Sequence, residues 1–109
     1  MDNSRLNQLL KYLENDPDDS FLIFALAKEY EMQNQLEMAL QKYLQLKEKD
    51  SDYIGLYYHL AKLYETLKKE TLALSVYNEG LELGKKLKDF HAISELNNAK
   101  MNLELTLDN

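Results

Sequence analysis

Apolar residues recur along the chain at spacings of three and four, which places their side chains on one face of an α-helix. Leu22 and Leu26 follow this spacing, and Asp19 stands before them as a residue that can cap a helix start. A polar break at residues 33–35 separates this stretch from a second periodic stretch at residues 36–44. The pattern therefore predicts two helices joined by a short turn.

The sequence pattern of this pair of helices is repeated 34 residues further along the chain. LAKEYE runs from Leu26 to Glu31 and LAKLYE runs from Leu60 to Glu65, with one difference between them. When residues 16–49 are laid on residues 50–83, 12 of the 34 positions carry the same residue. A period of roughly 20–50 residues is typical of stacked repeat architectures. The chain is therefore predicted to stack two copies of one helical hairpin.

The residues at fixed positions in both copies resemble the tetratricopeptide repeat family. The first copy has Ile23-x2-Leu26-Ala27-x2-Tyr30 followed by Ala39-x3-Tyr43, and the second has Tyr57-x2-Leu60-Ala61-x2-Tyr64 followed by Ala73-x3-Tyr77. The family often has Trp where Ile23 and Tyr57 stand, and Pro where Ser51 and Lys85 stand. The resemblance implies a small stand-alone member of the family, with an all-α fold. That fold would be an α-α superhelix of antiparallel helical hairpins, with five to six helices.

The repeat also predicts how the rest of the chain is organised. We expect residues 1–109 to form a single domain built like the tetratricopeptide repeat, because stacked units need caps at both ends. Its predicted parts are an N-terminal half-unit helix at 4–15, repeat 1 at 20–53, repeat 2 at 54–87 and a C-terminal capping helix at 89–107.

Composition and charge narrow the range of functions. The net charge is −6 and the 13 basic residues are scattered, so the chain is acidic and lacks the basic footprint that nucleic-acid binding requires. The longest apolar run, residues 21–27, is far shorter than the roughly 20 residues that span a membrane. There is no secretory signal pattern and no cysteine. We therefore expect a cytoplasmic protein with no nucleic-acid or membrane partner.

No pattern of residues in the sequence indicates a catalytic site, a metal site or a cofactor site. His59 and His91 are the only histidines and fall in separate elements, whereas a metal site needs ligands that converge. No nucleophile with a paired base and no glycine-rich phosphate loop is visible. We expect no enzyme activity, no metal and no cofactor.

The family resemblance implies a function instead, because tetratricopeptide modules usually bind a peptide or partner segment in a concave groove lined by the first helix of each unit. The positions that carry over are Phe21, Phe24, Lys28, Glu31 and Met32 in the first unit, and Gly55, Tyr58, His59, Lys62, Glu65 and Thr66 in the second. Residues 21–27 are apolar all round, which independently leaves two phenylalanines outside the core face. We expect an adaptor or scaffold for a protein or peptide segment that has an apolar anchor and a carboxylate. A Lys-and-Asn carboxylate clamp, known in one subgroup of the family, is absent.

Alternatives remain open from the sequence. Phe21 and Phe24 could pack against the N-terminal helix, through Leu6, Leu10 and Leu13. The Lys28–Glu31 and Lys62–Glu65 pairs could be ordinary surface pairs on their helices. At the level of function, the alternative is a self-associating structural unit, such as a homodimer, with no peptide ligand. A weaker alternative is an accessory subunit that folds fully only on its partner.

Overall fold

The computed structural model describes residues 4–108, and the part of the chain it describes is built from six helices and the turns between them. The helices are α1 (Ser4–Asn15), α2 (Ser20–Met32), α3 (Leu36–Lys49), α4 (Gly55–Thr66), α5 (Glu70–Leu87) and α6 (Phe90–Leu107). The predicted all-α class and the predicted number of helices are confirmed.

The helices fall into two compact units that meet at a single point in the sequence. Unit 1 ends at Tyr53 and contains α1–α3, and unit 2 begins at Ile54 and contains α4–α6. The predicted bounds of the half-unit helix, the two repeats and the capping helix stay a prediction.

In unit 1, α2 packs against α3 on one side and against α1 on another. The core of the unit is formed by residues with no more than 1% of their surface exposed, namely Ile23, Leu26, Ala27, Ala39, Tyr43 and Leu46. The small side chains of Ala27 and Ala39 leave room for the two helices of the hairpin to approach each other. Leu6 and Leu9 are the buried residues of α1.

The turn inside the hairpin has the same geometry in both units. In unit 1 Asn34 adopts a left-handed conformation with φ of 59°, and the following amide of Gln35 donates to the carbonyl of Tyr30 at 2.8 Å. In unit 2 Lys68 has φ of 63°, and the amide of Lys69 donates to the carbonyl of Tyr64 at 2.8 Å. In both turns a left-handed residue is followed by a hydrogen bond from the amide of residue i to the carbonyl of residue i−5. This Schellman arrangement is a common way for a helix to end.

Unit 2 contains an additional close contact that depends on glycine. α5 packs against both α4 and α6, and it carries Gly80 and Gly84 four residues apart on its buried face. A Cβ atom added at Gly80 would lie 2.8 Å from Cβ of Tyr57 on α4 and 3.0 Å from Cδ1 of Leu96 on α6. One added at Gly84 would lie 2.9 Å from Cγ1 of Ile93. The two glycines thus allow α5 to lie close to its neighbours.

Within residues 4–108, no helix combines the length and the apolar character that crossing a bilayer demands. The same part of the chain holds no group of three or more His, Asp or Glu side chains arranged to bind a metal ion.

Candidate functional site

The aromatic side chain of Phe24 is the centre of the candidate site in unit 1. Its ring centroid lies 5.2 Å from that of Tyr53 and 6.2 Å from that of Tyr43, with interplanar angles of 49° and 60°. These tilted arrangements are the ones aromatic rings favour. The ammonium of Lys28, one turn further along α2, lies 5.3 Å from the centre of the Phe24 ring. Phe24 is therefore half-buried and packs against aromatic residues of α3 and of the segment that follows it.

A shallow pocket of about 190 Å³ opens beside Phe24, between α1 and α2. We call it the aromatic pocket, and it is lined by Arg5, Phe21, Phe24, Ala25, Lys28, Glu29 and Met32. Phe21 is 64% exposed and Met32 is 78% exposed, although both are large apolar side chains. Phe21 therefore does not bury itself against α1, and the pocket offers apolar walls with a lysine at its edge.

An ion pair attaches α1 to the floor of this pocket. The Nε of Arg5 lies 3.2 Å from the Oε1 of Glu29, a carboxylate that is only 9% exposed. The side-chain amide of Gln33 donates a second hydrogen bond to Glu29 at 3.3 Å. The sequence gives no indication of Arg5 or Glu29 as site residues, because an ion pair between residues far apart in sequence leaves no local pattern.

The two glutamates among the predicted site residues have partners inside their own repeats. The hydroxyl of Tyr43 donates to the carboxylate of Glu31, and the hydroxyl of Tyr77 donates to that of Glu65. Burial, together with the neighbouring carboxylate, raises the pKa of Tyr43 and of Tyr77 far above the ordinary value for tyrosine. Glu31 is not among the residues that line the aromatic pocket.

Burial and nearby carboxylates also affect the pKa of Tyr53, the aromatic residue that contacts Phe24. Desolvation raises the pKa of Tyr53, and the charges of Asp19 and Asp50 add to the shift. Asp19 is the N-cap of α2, where its side chain accepts from the amide of Leu22 at 3.0 Å. Asp50 accepts from the hydroxyl of Ser20 at 2.7 Å. The backbone amide of Tyr53 also donates to the carbonyl of Asp50 at 3.0 Å, so Tyr53 is linked to the residue that follows α3.

The predicted site residues of unit 2 lie along α4. Tyr58 and His59 are half-buried, and their rings meet edge to face with centroids 5.4 Å apart. The ammonium of Lys62 lies 4.0 Å from the carboxylate of Glu65, and its side chain is 49% exposed. At this exposure an ion pair on one helix contributes about 0.5 kcal/mol or less. Lys62 is therefore held only weakly in its own unit.

Comparison with known proteins finds similarity to tetratricopeptide repeat proteins in both sequence and structure. The family model described as tetratricopeptide repeat matches residues 9–41. A tetratricopeptide repeat domain protein from Salinibacter ruber, solved by NMR, is 39% identical, with 81% of this chain and 89% of that chain covered and a TM-score of 0.78. A crystal structure of a tetratricopeptide repeat domain protein from Salinibacter ruber gives 38% identity, coverage of 79% and 97%, and a TM-score of 0.76. No curated protein sequence matches.

A more distant structure is similar in fold. The type III secretion translocator chaperone SycD from Yersinia enterocolitica has a TM-score of 0.88 at 15% identity, with 98% of this chain and 74% of that chain covered. At this identity the likeness concerns the fold alone.

Proposed function

We propose that this protein is an adaptor whose aromatic pocket receives a segment of a partner protein. The premise is that the chain belongs to the tetratricopeptide repeat family. The observation that carries the proposal is the exposure of Phe21 and Met32 around a preformed pocket. Large apolar side chains left in water beside a concave surface are typical of an interaction site. In this proposal the protein acts by binding alone, without a catalytic step or a cofactor.

The composition of the pocket defines the chemistry of the segment it would take. Phe21, Phe24 and Met32 provide an apolar wall, and methionine adapts its shape to different partners. Burying one Leu or Phe side chain of the partner there would contribute about 1.5–3 kcal/mol. Lys28 at the edge favours a carboxylate next to that anchor. Because such an edge charge remains solvated, we expect it to act on the association rate more than on the final affinity.

Tyr58, His59 and Lys62 occupy in unit 2 the positions that Phe24, Ala25 and Lys28 occupy in unit 1, 34 residues earlier. We propose that they form a second contact of the same kind within unit 2. An aromatic side chain and a lysine one turn apart are thus offered by the first helix of each repeat.

The proposal is tested by capture of partners from an extract of the source organism. Wild-type protein is compared with a Phe21→Ser, Met32→Ser variant and with a Leu72→Ser, Leu87→Ser control. All four leucine, phenylalanine and methionine positions are exposed, so each variant is expected to fold. The control pair lies on α5 and lines no part of the aromatic pocket.

The expected result is a protein that wild type and the control retain and the pocket variant loses. A segment of that protein, mapped by truncation and synthesised, should bind wild type with a dissociation constant at least about tenfold lower than it binds the pocket variant. Equal capture by all three proteins would contradict the proposal and move the interaction away from the aromatic pocket.

A further inference from the structure

The last helix of unit 2 carries a second exposed apolar surface. Met101, Leu105 and Leu107 on α6 are 52%, 59% and 47% exposed. With Leu74 of α5 they line a shallow depression of about 420 Å³, and Glu104 and Asp108 complete the lining. We call this surface the α6 patch. It pairs apolar side chains with two carboxylates.

The spacing on α6 places these side chains in two adjacent stripes. Met101 and Leu105 are four residues apart, and so are Glu104 and Asp108, so each pair lies along one side of the helix. Single exposed apolar side chains are ordinary on a protein surface, whereas a contiguous group of them is typical of an interaction site. The apolar side chains that line this one depression therefore indicate a docking surface.

The α6 patch and the aromatic pocket have complementary compositions. The pocket offers Phe21, Phe24 and Met32 with Lys28 at the edge, and the patch offers Met101 and Leu105 with Glu104 and Asp108 beside them. Apolar side chains would meet apolar side chains, and opposite charges would lie next to them. We propose that the α6 patch of one copy of this protein docks in the aromatic pocket of a second copy.

This inference rests on the proposed function, because it names one occupant of the same pocket. The contact joins two different surfaces, so it is heterologous, and each copy has one pocket and one patch to offer. Repetition gives a ring if the rotation between copies closes and an open chain if it does not. The two surfaces are small, so we expect weak association, with a dissociation constant on the order of 10–1000 µM.

Two single substitutions disable the two surfaces separately. The surface variant that disables the pocket is Phe21→Glu, which adds an acidic residue to the first turn of α2, where the helix dipole favours it. The patch variant is Leu105→Lys, which adds a basic residue to the last turn of α6, where the dipole also favours it. The control is Leu72→Glu, at an exposed position in the first turn of α5 that lines neither surface.

Sedimentation velocity between about 1 µM and 1 mM, a range that covers the expected dissociation constants, provides the test. Wild type and the control should gain mass with concentration, and each surface variant should remain monomeric. When the two surface variants are mixed, the intact patch of one should dock in the intact pocket of the other. The mixture should then form a one-to-one heterodimer and nothing larger. A ring or an open chain of wild type supports the inference equally.

The inference is overturned if wild type is monomeric throughout, or if the mixed variants fail to form a heterodimer. Self-association of either surface variant on its own would also overturn it. These outcomes are separable from failure of the proposed function, because capture of a partner by the aromatic pocket is measured independently. A monomeric wild type that still loses its partner on the Phe21→Ser, Met32→Ser change would leave the proposed function intact.

Discussion

The hydroxyl of Tyr43 donates a hydrogen bond to the carboxylate of Glu31, and this bond joins the second helix of the hairpin to the first. The same bond joins Tyr77 to Glu65, 34 residues later. In each unit the tyrosine is buried and the glutamate is half-buried, so the bond is shielded from water on one side. The repeat therefore preserves a polar contact as well as the apolar face.

We predict that Tyr43 and Glu31 are energetically coupled. Tyr43→Phe removes the bond without creating a cavity, and should lower the free energy of unfolding by about 1–2 kcal/mol, since the acceptor is charged. Denaturant unfolding of Tyr43→Phe, Glu31→Gln and the double variant measures the coupling directly. If the two single effects simply add, the bond contributes nothing of its own.

The two buried tyrosines predict a loss of stability in alkali. Their pKa values are raised in the folded protein by burial and by the glutamates. Above about pH 10, the ordinary tyrosine pKa, the unfolded chain releases these protons and the folded protein keeps them. The stability they contribute is therefore complete below pH 10 and falls above it, by up to about 1.4 kcal/mol per pH unit for each tyrosine.

Urea unfolding at pH 7 and at several values between pH 10 and pH 12 provides the measurement. A Tyr43→Phe, Tyr77→Phe variant should lose much of this alkaline slope. Tyr12→Phe, at a tyrosine that is 50% exposed, should keep the slope of wild type. The explanation fails if all three proteins have the same slope.

The left-handed residue in each hairpin turn predicts a stabilising substitution. Lys68 has φ of 63°, a region that costs an ordinary side chain about 1–2 kcal/mol, whereas asparagine tolerates it. Unit 1 has Asn34 at the equivalent position. Lys68→Asn should therefore raise the free energy of unfolding by about 0.5–1 kcal/mol, and Asn34→Lys should lower it by a similar amount. Thermal unfolding of both variants checks the pair, and two changes of the same sign would be inconsistent with this account.

The close contact at Gly80 predicts a destabilising substitution. Gly80→Ala would gain helix propensity, about 1 kcal/mol, but its Cβ would lie 2.8 Å from Cβ of Tyr57. Overpacking of this kind costs about 1–3 kcal/mol, and a contact with a Cβ close to the backbone is hard to relieve. We expect a net loss in denaturant unfolding. Asn78→Ala, at an exposed position on the same helix, is the control and should have little effect or a small gain.

Periodicity predicted the helices because an apolar face is encoded locally, by residues three and four apart. It also predicted the hairpin pairing, because Ala27 and Ala39 recur as Ala61 and Ala73 at one period. It did not predict the crowding at Gly80, which depends on the distance between α5 and two other helices. A glycine in a helical pattern does not indicate by itself which neighbour approaches it.

The candidate site was predictable only in part. Phe21, Phe24, Lys28 and Met32 were selected from their positions on the first helix, and in the structure all four line one pocket. Arg5 was missed because it reaches the pocket from α1, and Glu29 because nothing near it in the sequence indicates that its partner lies on another helix. Tyr53 was not foreseen as a contact of Phe24, since it lies in the turn after the hairpin.

The most direct test of the account is to locate the bound partner segment on the protein. Isotope-labelled protein is titrated with the synthetic segment mapped from the captured partner, and backbone amide shifts are followed by NMR. The account predicts that the largest shifts in unit 1 fall on Phe21, Phe24, Lys28 and Met32, and that Phe21→Ser, Met32→Ser weakens binding at least about tenfold. Shifts confined to α3 and α5, with unchanged affinity of that variant, would contradict it.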